Sequence, residues 1–216
     1  MAEKSIVVLI SGSGSNLQAI IDAIESGQIN GRISAVLSNK ADAFGLERAA
    51  KAGIPQIVIS HKDFADREAF DGAMIEAIDQ HQPDLIVLAG FMRILTPGFV
   101  RHYQGRMFNI HPSLLPKYKG LNTHQRALEA GDSQHGCTVH FVTEELDGGP
   151  LAVQAPIPVL PNDTADSLQQ RVHQCEHKIY PLAVELFCNG RLAHTSGQVQ
   201  LDNNTLPPEG YQFTQE

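Results

Sequence analysis

Residues 5–24 read SIVVLISGSGSNLQAIIDAI, and this stretch decides the fold. A short apolar run, residues 5–10, is followed by a turn of serine and glycine and then by apolar residues at helical spacing, Leu17, Ile20, Ile21 and Ile24. Gly27 then stands where a helix typically ends. The stretch predicts a buried strand, a loop and an amphipathic helix, which is how a parallel sheet covered by helices begins.

The same alternation continues through the first ninety residues. Further buried strands are predicted at residues 33–37, 56–59 and 85–89, and a helix at 66–81 carries Phe70, Met74, Ile75 and Ile78 on its inner face. Strands that alternate with helices need crossover connections, which produce a parallel sheet. We therefore predict a doubly wound α/β half.

The pattern changes after residue 105. Strands are predicted at residues 107–110, 137–143 and 151–159, with a short helix at 124–129. Gly148, Gly149 and Pro150 turn the chain between the last two strands, so this part of the sheet could be antiparallel. A long helix follows at 164–187, with Asp163 or Thr164 as its cap and Pro181 expected to kink or break it. The tail after Gly190 is polar and weakly patterned.

The expected architecture is one α/β domain over residues 1–216. It has a parallel half (1–105) and a second half (106–216) that extends the same sheet with mixed or antiparallel strands.

Composition excludes several classes of partner. The formal net charge of −8 repels nucleic acid and anionic membranes, so we expect neither as a partner. The three cysteines, Cys137, Cys175 and Cys188, do not form the paired pattern of a disulfide-rich secreted protein, and the first apolar run is too short for a signal peptide or a membrane span. These features predict a cytoplasmic protein with small-molecule ligands.

The loop from Ser11 to Asn16 is a candidate anion site. Its glycines let the backbone approach a ligand, and the free amides and dipole of the following helix favour a phosphomonoester. It has neither the third glycine of a dinucleotide loop nor the lysine of a Walker loop. A tight turn with a serine or asparagine helix cap explains the same residues equally well.

Asn109 and His111 form a second candidate site. Residues two apart in a strand face the same side, so an amide and an imidazole converge there. An asparagine can donate to a developing oxyanion, and a histidine can carry a proton at neutral pH. A histidine satisfied in the core beside a rigid proline turn is the alternative.

Asp147 precedes two glycines and could face His111, where its negative charge would favour the protonated imidazole. Ordinary turn chemistry explains the same aspartate.

His173 and His177, with Glu176 between them, satisfy the spacing of an inverted zinc-peptidase motif on a helix. A catalytic zinc needs a third protein ligand, so a surface helix, or a role for Glu176 toward a polar ligand, is the favoured interpretation.

These segments together resemble the phosphoribosylglycinamide formyltransferases (glycinamide ribonucleotide transformylases), folate-dependent enzymes of purine synthesis, over nearly the whole chain. The resemblance is carried by the loop 11–16, AGFMRIL at 89–95, NIHPSLLP at 109–116, the turn 146–150, and Glu176 with His177. Several formyl-folate enzymes share the Asn, His, Pro, Ser run and the later aspartate. That motif therefore indicates the chemistry more firmly than the substrate.

The resemblance implies transfer of the formyl group of 10-formyltetrahydrofolate, a cosubstrate, to the primary amine of N1-(5-phosphoribosyl)glycinamide, without a metal. Asn109 and protonated His111 would stabilise the oxyanion, and Asp147 would keep His111 charged and hold a water that takes the amine proton. Implied ribonucleotide contacts are Gly14, Ser15, Asn16, His173, Gln174, Cys175 and Glu176. Implied folate contacts are Arg67, Met92, Arg93, Ile94, Leu95, Asn109, Thr143, Glu144, Glu145, Leu146 and Asp147. The resemblance thus implies that residues 1–105 form a phosphate- and nucleotide-binding half and residues 106–216 a folate-binding and catalytic half.

Two positions depart from the family pattern: Lys119 stands where many bacterial members have proline, and Asn122 replaces a histidine. Other formyl-folate enzymes remain as alternatives, namely methionyl-tRNA formyltransferase, which carries an added basic RNA-binding domain, and formyltetrahydrofolate deformylase. A non-catalytic ribonucleotide-binding module is the alternative from another class. The sequence predicts no oligomeric state.

Overall fold

The computed structural model describes residues 2–214. The chain divides into two compact units, residues 1–109 and 110–216. The strands of the first unit are β1 (Lys4–Ile10), β2 (Gly31–Ser38), β3 (Gln56–Val58), β4 (Leu85–Leu88) and β5 (Met107–His111), whose last two residues belong to the second unit. Its helices are α1 (Ser15–Glu25), α2 (Phe44–Lys51), α3 (Arg67–Asp79) and α4 (Pro97–His102), with a 3-10 turn at His61–Asp63.

The apolar residues of β1 and α1 determine how these two elements pack. Every residue of β1 from Ser5 onward is buried, and α1 buries Leu17, Ile20 and Ile21 at the spacing of one helix face. Removing this apolar surface from water is the main stabilising contribution of both elements. The strand and the amphipathic helix predicted from residues 5–24 are confirmed.

The sheet of the first unit is parallel, with the strand order β5-β4-β1-β2-β3. The chain starts at β1, proceeds outward through β2 to β3, and then crosses back to β4 on the other side of β1. The doubly wound prediction is therefore confirmed. In such sheets ligands bind outside the carboxyl ends of the strands where the winding direction reverses, which here is between β1 and β4.

The second unit is built around an antiparallel pair, β6 with β7, as the Gly148–Pro150 turn predicts. A short strand at the end of the chain, β11, pairs with β7 in parallel. The elements of the unit are α5 (Thr123–Glu129), β6 (Gln134–Phe141), β7 (Leu151–Pro158), α6 (Ala165–Cys188), β8 (Leu192–Thr195), β9 (Gln198–Leu201), β10 (Asn204–Thr205) and β11 (Tyr211–Gln212).

The long helix α6 begins where the sequence predicts. The hydroxyl of Thr164 accepts a hydrogen bond from the Ser167 amide, and the Ser167 side chain accepts one from the Thr164 amide, which completes a capping box. The helix does not break at Pro181, because the buried residues around it, Ile179, Tyr180 and Ala183 among them, pack in the core and outweigh one lost backbone hydrogen bond. Within residues 2–214, no helix is long and apolar enough to cross a membrane.

The tail is more ordered than its weak pattern indicates. Strands β8, β9 and β10 form a small antiparallel sheet in the order β10-β9-β8. Leu192 and Val199 are buried in it, and the amide of Phe213 donates to the carbonyl of Gln154 on β7. The weak pattern of the tail underestimates this order because its apolar residues are sparse and because the partner of β11, strand β7, lies far away in sequence.

Candidate active site

Two segments that are predicted to bind ligand meet where the winding direction of the first unit's sheet reverses. The backbone amide of Ser11 donates to the Gly90 carbonyl at 3.1 Å, and the amide of Met92 donates to Ser11 Oγ at 2.8 Å. Ser11 Oγ itself donates to Asn39 Oδ1 at 2.6 Å. The loop 11–16 after β1 and the run 89–95 after β4 are therefore joined by direct hydrogen bonds.

The loop predicted to bind phosphate turns into α1 at Gly14. This glycine is the N-terminal cap of α1 with φ 69°, and no side chain caps the helix. The serine or asparagine cap weighed as the alternative is therefore not formed. A Cβ on Gly14 would stand 2.6 Å from the Gly45 Cα, so only glycine fits. The first-turn amides at Ser15 and Asn16 lie at the positive end of the helix dipole, where an anion is stabilised.

Among the predicted folate contacts of the first unit, Arg67 is hydrogen-bonded to the run 92–95. Nη2 of Arg67 donates to the Ile94 carbonyl at 2.9 Å and lies 3.4 Å from the Leu95 carbonyl. Met92 and Ile94 are 65% and 62% exposed, which leaves apolar side chains available to a flat apolar ligand, while Arg93 is half-buried. Asn109 is half-buried in the middle of β5, opposite Leu88 at the end of β4.

In the second unit His111 and Asp147 come together. Nδ1 of His111 lies 3.5 Å from Asp147 Oδ2, and the two side chains are only 7% and 8% exposed. Nε2 of His111 lies 2.8 Å from the Tyr118 carbonyl. Both ring nitrogens thus face oxygen atoms that accept hydrogen bonds, and the protonated imidazole is the form that can donate to both. Asp147 has φ 50°, so it is a turn residue as well as the partner of His111.

A second histidine beside Asp147 was missed by the sequence analysis. Nε2 of His140 lies 4.0 Å from Asp147 Oδ1, and its Nδ1 is 3.1 Å from the Phe141 carbonyl, to which it donates. Burial lowers the pKa of His140 to about 4, so the ring is neutral at pH 7. Asp147 therefore lies between two imidazoles. The alternation of β6 could have indicated His140, but only the fold places it beside Asp147.

The segment 116–122 is hydrogen-bonded to the same aspartate. The Gly120 amide donates to Asp147 Oδ2 at 2.9 Å, and Nζ of Lys119 pairs with Glu145 Oε1 at 2.7 Å. The two residues that depart from the family pattern are compatible with the conformation of this segment. Lys119 adds an ion pair between the segment and the 143–147 turn. Asn122 adopts φ 56°, a conformation that asparagine tolerates well.

The turn carrying Asp147 borders a groove in the second unit. Glu144, Glu145 and Leu146 are exposed and Thr143 is half-buried. The groove has a volume of about 680 Å³. Its walls include Leu115, Pro116, Asp147, Leu151, Val199, Leu206, Pro207 and Pro208. The tail after Gly190 therefore forms one wall of the groove that contains Asp147.

The predicted ribonucleotide contacts on α6 have different exposures. Gln174 is exposed and His173 half-buried, whereas Cys175 and Glu176 are buried. The Cys175 thiol hydrogen-bonds to that of Cys137, which with burial raises the pKa of the Cys137 thiol. The side chain of Cys175 therefore belongs to the core. Among residues 2–214, no group of three or more histidine, cysteine, aspartate or glutamate side chains is arranged to hold a metal ion.

Comparison with known proteins identifies the class. The profile of the formyl transferase family matches residues 4–184, so this chain belongs to that family and is a formyl-transferring enzyme. The names of individual relatives indicate a narrower class than the family profile does. The phosphoribosylglycinamide formyltransferase of Escherichia coli (strain K12) is 58% identical over 207 residues, which cover 96% of this chain and 98% of that protein.

Two further similarities agree with this result. The human trifunctional purine biosynthetic protein adenosine-3 is 47% identical over 199 residues, covering 92% of this chain and 19% of that much longer protein. The solved structure of the phosphoribosylglycinamide formyltransferase from Coxiella burnetii is 53% identical and covers 98% of this chain and all of that one, with a TM-score of 0.95. The predicted formyltransferase-like α/β fold is therefore confirmed.

Proposed function

We propose that this chain transfers the formyl group of 10-formyltetrahydrofolate to the primary amine of N1-(5-phosphoribosyl)glycinamide. The products are formylglycinamide ribonucleotide and tetrahydrofolate, in the de novo synthesis of the purine nucleotide IMP. The buried His111–Asp147 pair carries the proposal, because a carboxylate 3.5 Å from Nδ1 orients an imidazole that can donate a proton. The names and high identity of the full-length relatives support the substrate.

The reaction begins when the amine nitrogen attacks the formyl carbon and forms a new C–N bond. Negative charge develops on the formyl oxygen, and the Asn109 amide and protonated His111 stabilise this oxyanion. A water held by Asp147 takes the proton that the amine nitrogen loses. The bond between the formyl carbon and the folate nitrogen then breaks, and His111 protonates that nitrogen as it departs. No step requires a metal.

Binding is assigned to separate groups of residues. Backbone amides of Gly14, Ser15 and Asn16 take the ribonucleotide phosphate, and residues 173–176 meet the ribonucleotide. Arg67, the run 92–95, and the turn 143–147 bind the folate. We further propose that the protein works in the cytoplasm as a single functional domain, with small molecules and not nucleic acid as its partners.

Tetrahydrofolate formation tests the proposal. Purified protein with 10-formyltetrahydrofolate should form tetrahydrofolate only when the ribonucleotide is added, and formylated ribonucleotide should appear in equal amount. Release of formate without an acceptor would instead identify a deformylase, and dependence on initiator methionyl-tRNA would identify the tRNA enzyme. Ribonucleotide binding without turnover under any of these conditions would identify a binding module and overturn the proposal.

A further inference from the structure

The loop proposed to hold the phosphate has no charged side chain of its own. Residues 11–18 read SGSGSNLQ, and the whole chain carries a formal net charge of −8. A helix N-terminus is equivalent to roughly half a positive charge, whereas a phosphomonoester carries about −1.5 to −2 charges at pH 7. Backbone amides and the dipole therefore leave much of the phosphate charge unbalanced. A cation supplied by another element would remove this deficit.

Arg48 on α2 lies directly against this loop. Its Nε donates to the Ser13 carbonyl at 2.8 Å, and its Nη1 is 3.4 Å from Gln18 Oε1 on α1. Its Cδ is 3.4 Å from the position that a Cβ on Gly14 would occupy. The arginine thus contacts both the loop and the helix that the loop caps.

The charge of Arg48 is not used elsewhere. Within the described residues 2–214 it has no carboxylate partner, unlike Lys4, which pairs with Asp84 at 3.0 Å. The Phe44 ring lies 5.0 Å below the guanidinium and helps to hold its orientation. The two N–H groups of Nη2 donate to no acceptor in the described part of the chain. The guanidinium is therefore held in place at one end and open at the other.

We infer that Arg48 is a further substrate-binding residue, whose guanidinium binds the ribonucleotide phosphate and balances its charge. The inference rests on the proposed function and names the residue that supplies the missing positive charge. A guanidinium is suited to this task, because its donors form a rigid fork that matches phosphate oxygens.

Substitution of Arg48 distinguishes phosphate binding from a structural clamp. Arg48→Met keeps the apolar stem but removes the charge and donors. It should raise KM for the ribonucleotide about tenfold, which corresponds to the loss of one charge-assisted hydrogen bond. The kcat and the KM for 10-formyltetrahydrofolate should stay within about twofold. Arg48→Lys should recover part of the loss. Lys51→Met, an exposed cation on the same helix, is the matched control and should leave all three constants unchanged.

Competing ligands sharpen the test. Inhibition by ribose 5-phosphate should weaken about tenfold in Arg48→Met, whereas inhibition by the glycinamide ribonucleoside without phosphate should change less than twofold. Equal weakening of both ligands would overturn the inference in favour of a structural clamp, as would no change in either. If the unmutated protein does not formylate the ribonucleotide, the proposed function fails. Calorimetric binding of ribose 5-phosphate to the same variants then still decides the role of Arg48.

Discussion

Nδ1 of His111 lies 3.5 Å from Oδ2 of Asp147, with both side chains more than nine-tenths buried. Opposite charges interact more strongly in such a site than in water, because few solvent molecules screen them. The Gly120 amide also donates to Asp147 Oδ2 at 2.9 Å, so the carboxylate is held on the side that faces the imidazole. Asp147 is therefore both a turn residue and, in the proposed mechanism, the partner of His111.

Asp147→Asn should lower kcat by roughly 10²- to 10⁴-fold, the range typical of a lost acid–base group. The amide keeps the size of the side chain but removes the negative charge that, in the proposed mechanism, orients the imidazole and holds a water. Tetrahydrofolate formation under saturating substrates measures the effect. Asp202→Asn, in an exposed ion pair with Arg191, is the control and should keep full activity. Near-normal turnover of Asp147→Asn would exclude the catalytic role.

Asn109→Ala should lower kcat by roughly 10²- to 10³-fold with little change in either KM, because an oxyanion donor acts mainly in the transition state. Steady-state kinetics with the two substrates varied separately measures how the effect divides between kcat and each KM. Asn204→Ala, in the small sheet of the tail, is the matched control. If KM rose while kcat held, Asn109 would be a binding residue only.

Gly14→Ala should destabilise the protein and weaken ribonucleotide binding. The left-handed φ of 69° and the 2.6 Å approach to the Gly45 Cα both oppose a side chain there, and we expect the free energy of unfolding to fall by roughly 1–3 kcal/mol. Gly12→Ala is the control for stability, since a Cβ there meets nothing within 4 Å. Urea denaturation of both variants measures the difference. Equal stability would mean that the backbone at Gly14 relaxes freely.

Stability should fall as the pH drops from about 6.5 to about 4. Burial lowers the pKa of His124, His135 and His140 to about 4, below the value near 6.5 expected in the unfolded chain. Between these values the unfolded state binds more protons than the folded state, so acid favours unfolding, and the stabilisation is fully present only above about pH 6.5. Nδ1 of His124 and Nε2 of His135 lie 3.1 Å apart, and one nitrogen must accept the proton of the other.

Urea unfolding at several pH values from 7.5 to 4.5 measures this dependence. The free energy of unfolding should change less steeply with pH in His135→Gln than in the unmutated protein, whatever the absolute stability of that variant. A free energy of unfolding that stays constant across the range would show that these rings do not remain neutral in the folded protein.

Local features of the fold were predictable from the sequence because short-range physics decides them. The strand in residues 5–10 and the helix after it follow from apolar spacing, and the Thr164 cap follows from side-chain chemistry at a helix start. Alternation along β5 predicts that Asn109 and His111 face the same side of the strand. Helices α2 and α4 were not predicted, since both are short, although α2 carries Gly45 and Arg48.

The sequence by itself determined the α/β class, the glycine loop after β1 and the strand that carries Asn109 and His111. Only the tertiary structure decided that Asp147 faces His111, that His140 joins them, and that Arg48 lies against the loop at Ser13. Periodicity specifies which face a residue occupies within its own element. Contacts between residues 35 or 36 positions apart, such as Ser13 with Arg48 and His111 with Asp147, depend on which strands pair and how helices pack, and the free energy of burying the whole core sets that arrangement.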